Sequence, residues 1–426
     1  MKVTVVGLGK LGLPLAVQFA SSGHEVVGLD LNSKTVEVVN EGREPFPGEF
    51  SLSTKLKDVV SAELLNCTNS YQQAIPGSNV VVVVVPLMTM ENGTPDFRLI
   101  DNAISEIGRY VEKGTLICVE TTLPVGTTRQ RFNPAIESIS KLVCGKDFYL
   151  AFSPERVLTG RVFADLKKYP KIVGGITKEC GEKAKEFYEG VIQFDERPDL
   201  DRPNGVWLMS SSEEAEMVKL AETTYRDVNI ALSNEMSKYA YSENMDFSKI
   251  LEATNSQVYC HLHQPGISVG GHCIPVYPRL LTSTFRDAEL IPTARGINET
   301  MPAYYVQKLV EYFGNIRESN VLVLGLTYRP GVKESAYSGT YSIRDNLLKL
   351  GAKCFVADPY YSPAELTELG FIPWNESQNI DFIILHTAHE EYKHFDFAGK
   401  SDLKAIVDGR NFLKHENLKG AKAILI

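Results

Sequence analysis

The chain lacks any apolar run long enough to cross a bilayer. Its longest, Val80 to Val85, is six residues, against the roughly 20 that a membrane helix needs. It also lacks a basic excess: the formal net charge is −9, and without a Lys/Arg-rich face nothing recommends nucleic acid as a partner. There is no Cys-x-x-Cys, and the seven cysteines are scattered. That argues against a disulfide framework and a structural zinc site, and for a reducing, cytoplasmic setting. The first strand reads as starting at Lys2, with no leader ahead of it. Short-period repeats and low-complexity segments are missing too. What remains is an ordinary globular composition, 43% hydrophobic and 23% charged over 426 residues, enough for two or three domains.

Strand and helix signals alternate over roughly the first 200 residues. Lys2 to Val6, His24 to Leu29, Val80 to Val85, Leu116 to Val119 and Phe148 to Phe152 read as strands, with Leu11 to Ser22 a helix after the first. Consecutive valines suit a parallel strand covered on both faces. Ser210-Ser211-Ser212-Glu213-Glu214 then offers two overlapping Ser-x-x-Glu caps for a long helix reaching about Ser242. On it, Val218, Ala221, Tyr225, Val228 and Leu232 form a stripe expected to pack, while Lys219, Thr223, Arg226 and Ile230 form a second, partly polar one. A second α/β pattern follows: Val321 to Leu324, Lys353 to Ala357, Asp381 to Leu385 and Ala405 to Val407. The expectation is an α/β protein with two Rossmann-like doubly wound domains joined by a long central helix: a nucleotide-binding domain over 1–205, a helical connector over 206–305, and a smaller second α/β domain over 306–426.

Gly7-Leu8-Gly9-Lys10-Leu11-Gly12 is a G-x-G-x-x-G between a strand and a helix. Gly7 permits the tight turn, Gly9 lets a pyrophosphate approach the backbone, Gly12 lets helix pack on sheet, and the helix N-terminus faces the phosphates. Asp30 ends the second strand, eighteen residues on. A carboxylate there binds both ribose hydroxyls and repels a 2′-phosphate, which favours NAD over NADP. The fingerprint alone is weak; its placement strengthens it. The bland alternative is a glycine turn in an unrelated α/β fold. The second domain's Gly325-Leu326-Thr327-Tyr328-Arg329-Pro330 lacks the pattern and is expected to bind something else.

Cys273 stands in Gly270-Gly271-His272-Cys273-Ile274-Pro275. Two glycines and flanking prolines can hold a sulfur in the open, with backbone close to a ligand. A free cysteine is more often a small buried hydrophobe. Beside a dinucleotide fingerprint, however, it suggests an enzyme that removes hydride and retains its substrate on sulfur. His272 invites a Cys–His dyad, but adjacent side chains often point apart, and a structural role is preferred. His261 and His263 are spaced like metal ligands, yet no thiol or carboxylate completes a set, and no metal is expected.

Several segments, in order and spacing, resemble the UDP-glucose/GDP-mannose dehydrogenase family along nearly the whole chain. They are Ser153-Pro154-Glu155-Arg156-Val157-Leu158-Thr159-Gly160, Lys219 through Glu235, His263-x-Pro265-Gly266 leading into the cysteine loop, and Asp408-Gly409-Arg410-Asn411. The resemblance implies oxidation of a sugar C6 alcohol to a carboxylate with two NAD⁺. An aldehyde has no hydroxyl on its carbon to supply a second hydride. Thiol addition gives a thiohemiacetal, whose oxidation gives a thioester that water opens.

By this resemblance Cys273 is the nucleophile. Lys219 stabilises oxyanions and passes protons, Glu155 activates water with Thr122 beside it, and Thr223 lies one turn along the helix from Lys219. The cofactor site comprises Gly7, Gly9, Lys10, Leu11, Gly12, Asp30, Lys34, Pro86, Thr121 and Thr122. Substrate contacts fall to Arg156, Val157, Lys219, Thr223, Arg226, Gly266, Tyr328, Arg329, Lys333 and Arg410. Bland alternatives stand beside these: a solvated lysine for Lys219, an exposed loop carboxylate for Glu155, ion pairs for Arg156 and Arg226.

Four positions depart from the family pattern. Tyr277 stands where Asp is common, Thr223 where Asn is common, and Ala336-Tyr337 where Arg-Glu is frequent. They read as a variant site that leaves water activation and substrate contacts open. The stretch Arg226 to Ile230 looks most like members acting on UDP-N-acetylhexosamines, especially UDP-N-acetyl-mannosamine, with UDP-N-acetyl-glucosamine and UDP-glucose as alternatives. A homodimer through the central helix, or a larger homo-oligomer, is implied. More distant readings are a two-electron hydroxy-acid dehydrogenase, which would need no Cys273, and a non-catalytic NAD and nucleotide-sugar binding protein.

Overall fold

The structure is a computed structural model that describes residues 1–90, 93–397, 400, 402–413 and 422–425. It divides into two compact units, Met1–Glu222 with Ser283–Phe285, and Thr223–Thr282 with Arg286–Ile426.

The first unit is built on an eight-stranded sheet. Its strands are β1 (Lys2–Val6), β2 (Glu25–Leu29), β3 (Leu65–Thr68), β4 (Val80–Val83), β5 (Leu116–Val119), β6 (Tyr149–Phe152), β7 (Lys171–Gly175) and β8 (Val206–Leu208), in the order β8-β7-β6-β5-β4-β1-β2-β3. Central strands such as β4 and β5 are buried at every residue, because helices cover both faces and each side chain, whichever way it points, meets a core. All neighbours run parallel except β6 and β7, which pair antiparallel through Ala151–Gly175 and Phe152–Gly174. The valine strand ends at Val83 rather than Val85; Val84 still donates its N–H to the Val6 carbonyl at 2.8 Å, and beyond it the chain turns away. Helix α1 (Gly12–Ser21) follows β1, and helix α2 (Lys178–Val191) packs on β6 and β7.

Residues Ser212–Ser242 form a single 31-residue helix, α3. At its start Ser211 Oγ accepts from the Glu214 N–H at 3.2 Å, and the Glu214 carboxylate accepts from the Ser210 N–H at 2.8 Å. The stripe expected to pack is largely turned outward: Ala221, Tyr225 and Leu232 are exposed, and Val218 and Val228 are only half-buried. The buried face instead carries Leu220, Thr223, Thr224, Asp227, Ala231 and Asn234. Apolar periodicity misleads here because two of the buried polar groups, Asp227 and Asn234, are held by partners on other segments. Asp227 Oδ1 meets Arg295 at 3.0 Å and Asn298 at 2.7 Å on helix α5 (Leu290–Phe313), which follows α4 (Tyr277–Thr284). Asn234 bonds Asn298 and the Gly266 N–H, each at 2.9 Å. Polar groups held in this way can be buried, although Asp227 Oδ2 and Thr224 Oγ1 on the same face are left without a hydrogen-bond partner.

The second unit holds a six-stranded, all-parallel sheet. Its strands are β9 (Asn320–Leu324), β10 (Lys353–Ala357), β11 (Ile372–Pro373), β12 (Phe382–Leu385), β13 (Ala405–Asp408) and β14 (Lys422–Leu425), ordered β11-β10-β9-β12-β13-β14. Helix α6 (Gly339–Lys349) follows β9 only after a fourteen-residue loop. Among the described residues no helix is long and apolar enough to cross a membrane.

Candidate active site

The turn after β1 is shaped by its glycines, each for a different reason. Gly7 has φ +95° and donates its N–H to the Leu29 carbonyl at 2.8 Å, a conformation that an L side chain strains. A Cβ on Gly12 would lie 1.8 Å from the Gly7 carbonyl oxygen, so the start of α1 presses on its own turn. Gly9 has nothing within 4 Å of where a Cβ would be; the space beside its backbone is open. Asp30 accepts from the Leu8 N–H through Oδ2 and the Asn32 N–H through Oδ1, both at 2.8 Å, which fixes its carboxylate at the lip of the turn while leaving it half-exposed. Open space at Gly9, the positive end of a helix dipole and a held carboxylate fit a dinucleotide. Around it Lys10, Lys34 and Pro86 are exposed and Leu11 is half-buried. Thr121 donates its hydroxyl to the Val85 carbonyl at 2.6 Å, which ties the end of β5 to the segment carrying Pro86.

Beyond β5 and β6 lies a buried set of charges. Thr122 and Glu155 are both buried. Glu155 Oε1 accepts from the Arg156 N–H at 2.7 Å, and Oε2 from Lys171 Nζ at 2.8 Å. Lys171, at the head of β7, also reaches Glu120 Oε2 at 2.9 Å, and the Tyr188 hydroxyl of α2 donates to Glu120 Oε1 at 2.6 Å. Burial pushes Glu155 up, but Lys171, the Arg156 N–H and the charge of Lys219 outweigh it and hold the carboxyl below its ordinary value. The loop bearing Glu155 is pinned by two further carboxylates. Glu49 accepts from the Gly160 and Val162 N–H groups at 2.6 and 2.7 Å, and Asp165 from Leu158 at 3.1 Å. Val157 packs on the unit's core. Glu155 is thus no exposed loop acid. Sequence reasoning missed Lys171, Glu120 and Tyr188; the available signal was a lysine heading the otherwise apolar strand Lys171-Ile172-Val173-Gly174-Gly175.

In the second unit the Cys273 thiol is exposed. Its carbonyl accepts from Val276 at 3.2 Å and Tyr277 at 2.9 Å, leading directly into α4. The preceding glycines are required by neighbours in the chain itself. A Cβ on Gly270 would lie 2.6 Å from Tyr328 Cβ, and one on Gly271 (φ +88°) 2.8 Å from the Tyr328 ring, while the Gly271 N–H donates to the Ala336 carbonyl at 2.8 Å. The loop is therefore keyed to Tyr328 and to the Ala336-Tyr337 position that departs from the family pattern. His272 is exposed, 3.7 Å from Glu334, with its ring edge-on to Tyr337.

The other expected substrate residues are distributed unevenly. Gly266 abuts Arg410: a Cβ there would lie 2.7 Å from Arg410 Nη1. The Arg410 guanidinium donates to the His386 carbonyl at 2.8 Å and to Ser268 at 3.2 Å. Arg156 donates to the Pro170 carbonyl at 3.0 Å and pairs with Glu222, and Lys333 pairs with Glu365. The Arg329 guanidinium lies over the Tyr328 ring at 5.8 Å. Arg226 is exposed, and its charge, after burial, lowers His263. Thr223 is buried and Lys219 half-buried on α3. Among the described residues no three His, Cys, Asp or Glu side chains gather as a metal site would need.

Three segments match successive domains of one family: residues 1–192 the NAD binding domain, 213–300 the central domain and 322–415 the UDP binding domain of the UDP-glucose/GDP-mannose dehydrogenase family. The UDP-N-acetyl-D-mannosamine dehydrogenase of Pyrococcus horikoshii is 34% identical over 422 residues, 97% of this chain and 96% of that protein. The NDP-N-acetyl-D-galactosaminuronic acid dehydrogenase of Ralstonia nicotianae is 28% identical over 96% of this chain and 95% of its own length. The native structure of the UDP-N-acetyl-mannosamine dehydrogenase from Staphylococcus aureus superposes with a TM-score of 0.82 at 30% identity, covering 100% of this chain and 98% of that one. With a turn open to a dinucleotide in the first unit and an exposed thiol on a rigid loop in the second, the chain belongs to the UDP-glucose/GDP-mannose dehydrogenase family and is an NAD-dependent UDP-sugar oxidoreductase.

Proposed function

We propose that the protein oxidises the C6 alcohol of a UDP-N-acetylhexosamine, UDP-N-acetyl-mannosamine, to the uronate in two hydride-removing steps, with Cys273 as nucleophile. The exposed thiol carries this reading: it stands on a loop whose glycines pack closely against Tyr328. The relatives' names support the sugar. NAD supplies the hydride acceptor when bound, held at Gly7 to Gly12 and Asp30 with Lys10, Leu11, Lys34, Pro86 and Thr121 around it. Lys219 balances the developing alkoxide of the first step. The Cys273 thiol adds to the aldehyde, giving a thiohemiacetal; its oxidation leaves a thioester, and Glu155, with Thr122, accepts a proton from the water that opens it. Thr223, Arg156, Val157, Arg226, Gly266, Tyr328, Arg329, Lys333 and Arg410 hold the sugar and its diphosphate.

On this reading residues 1–205 bind cofactor, 206–305 connect and dimerise, and 306–426 bind the nucleotide. Two copies pair through the outward apolar face of α3 (Tyr225, Leu232, Met236 and Tyr239), a self-complementary stripe of the kind two-fold dimers use. All seven cysteines are free thiols, in keeping with a cytoplasmic enzyme.

The test is stoichiometric. Two NADH per UDP-N-acetyl-mannosamine, with uronate released, is the expected result; one NADH identifies a two-electron enzyme, and none with intact binding identifies a sensor. Cys273→Ser is expected to lose the complete four-electron turnover by at least about 10³-fold while NAD affinity, read by fluorescence titration, stays unchanged.

A further inference from the structure

Lys171 is 4% exposed and Glu120 0% on their side chains, and a lone charge at such a site costs several kcal/mol. The ammonium stands between two carboxylates, 2.9 Å from Glu120 and 2.8 Å from Glu155, with the Tyr188 ring centroid 4.7 Å away. If Glu155 were its sole counter-ion, each proton Glu155 accepted would strand a buried cation. The second carboxylate removes that obstacle.

We propose that Lys171 and Glu120 are positioning residues for Glu155. Lys171 fixes the carboxylate that faces water, and Glu120 keeps the ammonium paired while Glu155 holds a proton. This rests on the reading of Glu155 given above. The step balances: a water O–H gives its proton to Glu155 as its oxygen bonds the thioester carbon, the C–S bond breaks, and the proton returns to the departing Cys273 sulfur. During that interval Lys171 is neutralised by Glu120, whose Oε1 is steadied by the Tyr188 hydroxyl.

The charge balance has a pH signature. Burial raises Glu120 to about 7, Lys171 pulling it down and the Glu155 charge pushing it up. Above that pH both carboxylates are ionised and the set has room for the proton from water. Below it Glu120 already holds one, and a second would leave Lys171 unpaired. Hydrolysis therefore rises with pH through the neutral range. The other groups facing the set are Tyr188, held protonated by burial and by Cys118 and Glu120, Cys118, whose thiol is likewise pushed up by burial, Lys219, and the Arg156 N–H.

The experiment separates oxidation from hydrolysis, using full-length enzyme with NAD⁺ and UDP-N-acetyl-mannosamine. Rapid-mixing absorbance reads the NADH burst, and intact-protein mass spectrometry reads the adduct on Cys273. Glu120→Gln is expected to keep the burst, accumulate adduct, lower kcat by at least about tenfold with KM unchanged, and flatten the pH profile between about pH 6 and 8. Tyr188→Phe is the milder variant: losing a donor to the Glu120 carboxylate raises that group further, so the profile's midpoint moves to higher pH. Lys171→Arg is expected to restore much of what Lys171→Met loses. Glu155→Gln stalling while Glu120→Gln and Tyr188→Phe keep the wild-type kcat and pH profile would overturn the positioning role alone. Glu155→Gln hydrolysing at the wild-type rate would overturn the role of Glu155, and this inference with it.

Discussion

Both units contain the same piece of chain geometry, put to opposite use. After β1, Gly7 takes φ +95° and bonds the last carbonyl of β2; after β9, Gly325 takes φ +102° and bonds the last carbonyl of β10, each at 2.8 Å. An aspartate follows each second strand, Asp30 and Asp358, and each accepts from the turn's N–H groups. Two residues past the glycine the copies diverge. Gly9 has open space beside it. Thr327 is fully buried, with its hydroxyl 2.8 Å from His389 and its N–H on Asp358 at 3.0 Å. Asp358 accepts from Leu326, Thr327 and Tyr360 and lies 3.3 Å from His389, so its carboxylate is consumed internally, whereas Asp30 keeps a half-exposed edge. One turn is a socket and the other is plugged. A strand-turn-strand frame does not itself make a dinucleotide site; an unfilled volume and a carboxylate with an exposed edge do.

Exchanging features between the turns tests this. Asp358→Ala strands three N–H groups and is expected to destabilise the second unit by about 2 to 3 kcal/mol, read by denaturant titration. Burial raises Asp358, but His389 and the N–H groups hold it below its ordinary value. Its contribution is therefore complete above the unfolded value of about 4 and fades as pH falls towards the folded one, so the variant loses part of the wild type's acid sensitivity. Gly9→Thr, which copies the plugged turn, is expected to weaken NAD by about 2 kcal/mol, some thirtyfold in Kd, with Tm unchanged. The reverse change, Thr327→Gly, opens a gap without creating a site: about 1 to 2 kcal/mol less stable by denaturation and no second NAD by calorimetry. Asp30→Asn is the smallest, about 1 kcal/mol in NAD affinity with weaker rejection of NADP.

Much of this was legible in the residues. The strands announced themselves by short apolar runs, and β5 and β10 have the ends read from sequence, since a strand buried on both faces admits little else. The fingerprint glycines were identified, and at Gly12 a Cβ would meet the Gly7 carbonyl and Val84. Gly270 and Gly271 read as bringing backbone close to a ligand; that they also pack against Tyr328 and Tyr337 was invisible, because those residues are distant in sequence. The α3 stripe failed for the same reason: Asp227 and Asn234 look solvent-facing until Arg295 and Asn298 are known to lie opposite. Lys171 escaped because lysine is ordinarily a surface residue, and its two counter-charges lie 51 and 16 positions away.

The inverted face of α3 has a consequence for handling the protein. Tyr225, Leu232, Met236 and Tyr239 are 53%, 44%, 42% and 65% exposed on one chain. Were a second copy to cover them, as proposed, dilution itself would act as a denaturant: the melting temperature would climb with protein concentration, and an assay run at nanomolar enzyme would sample a different molecule from the one in a concentrated stock.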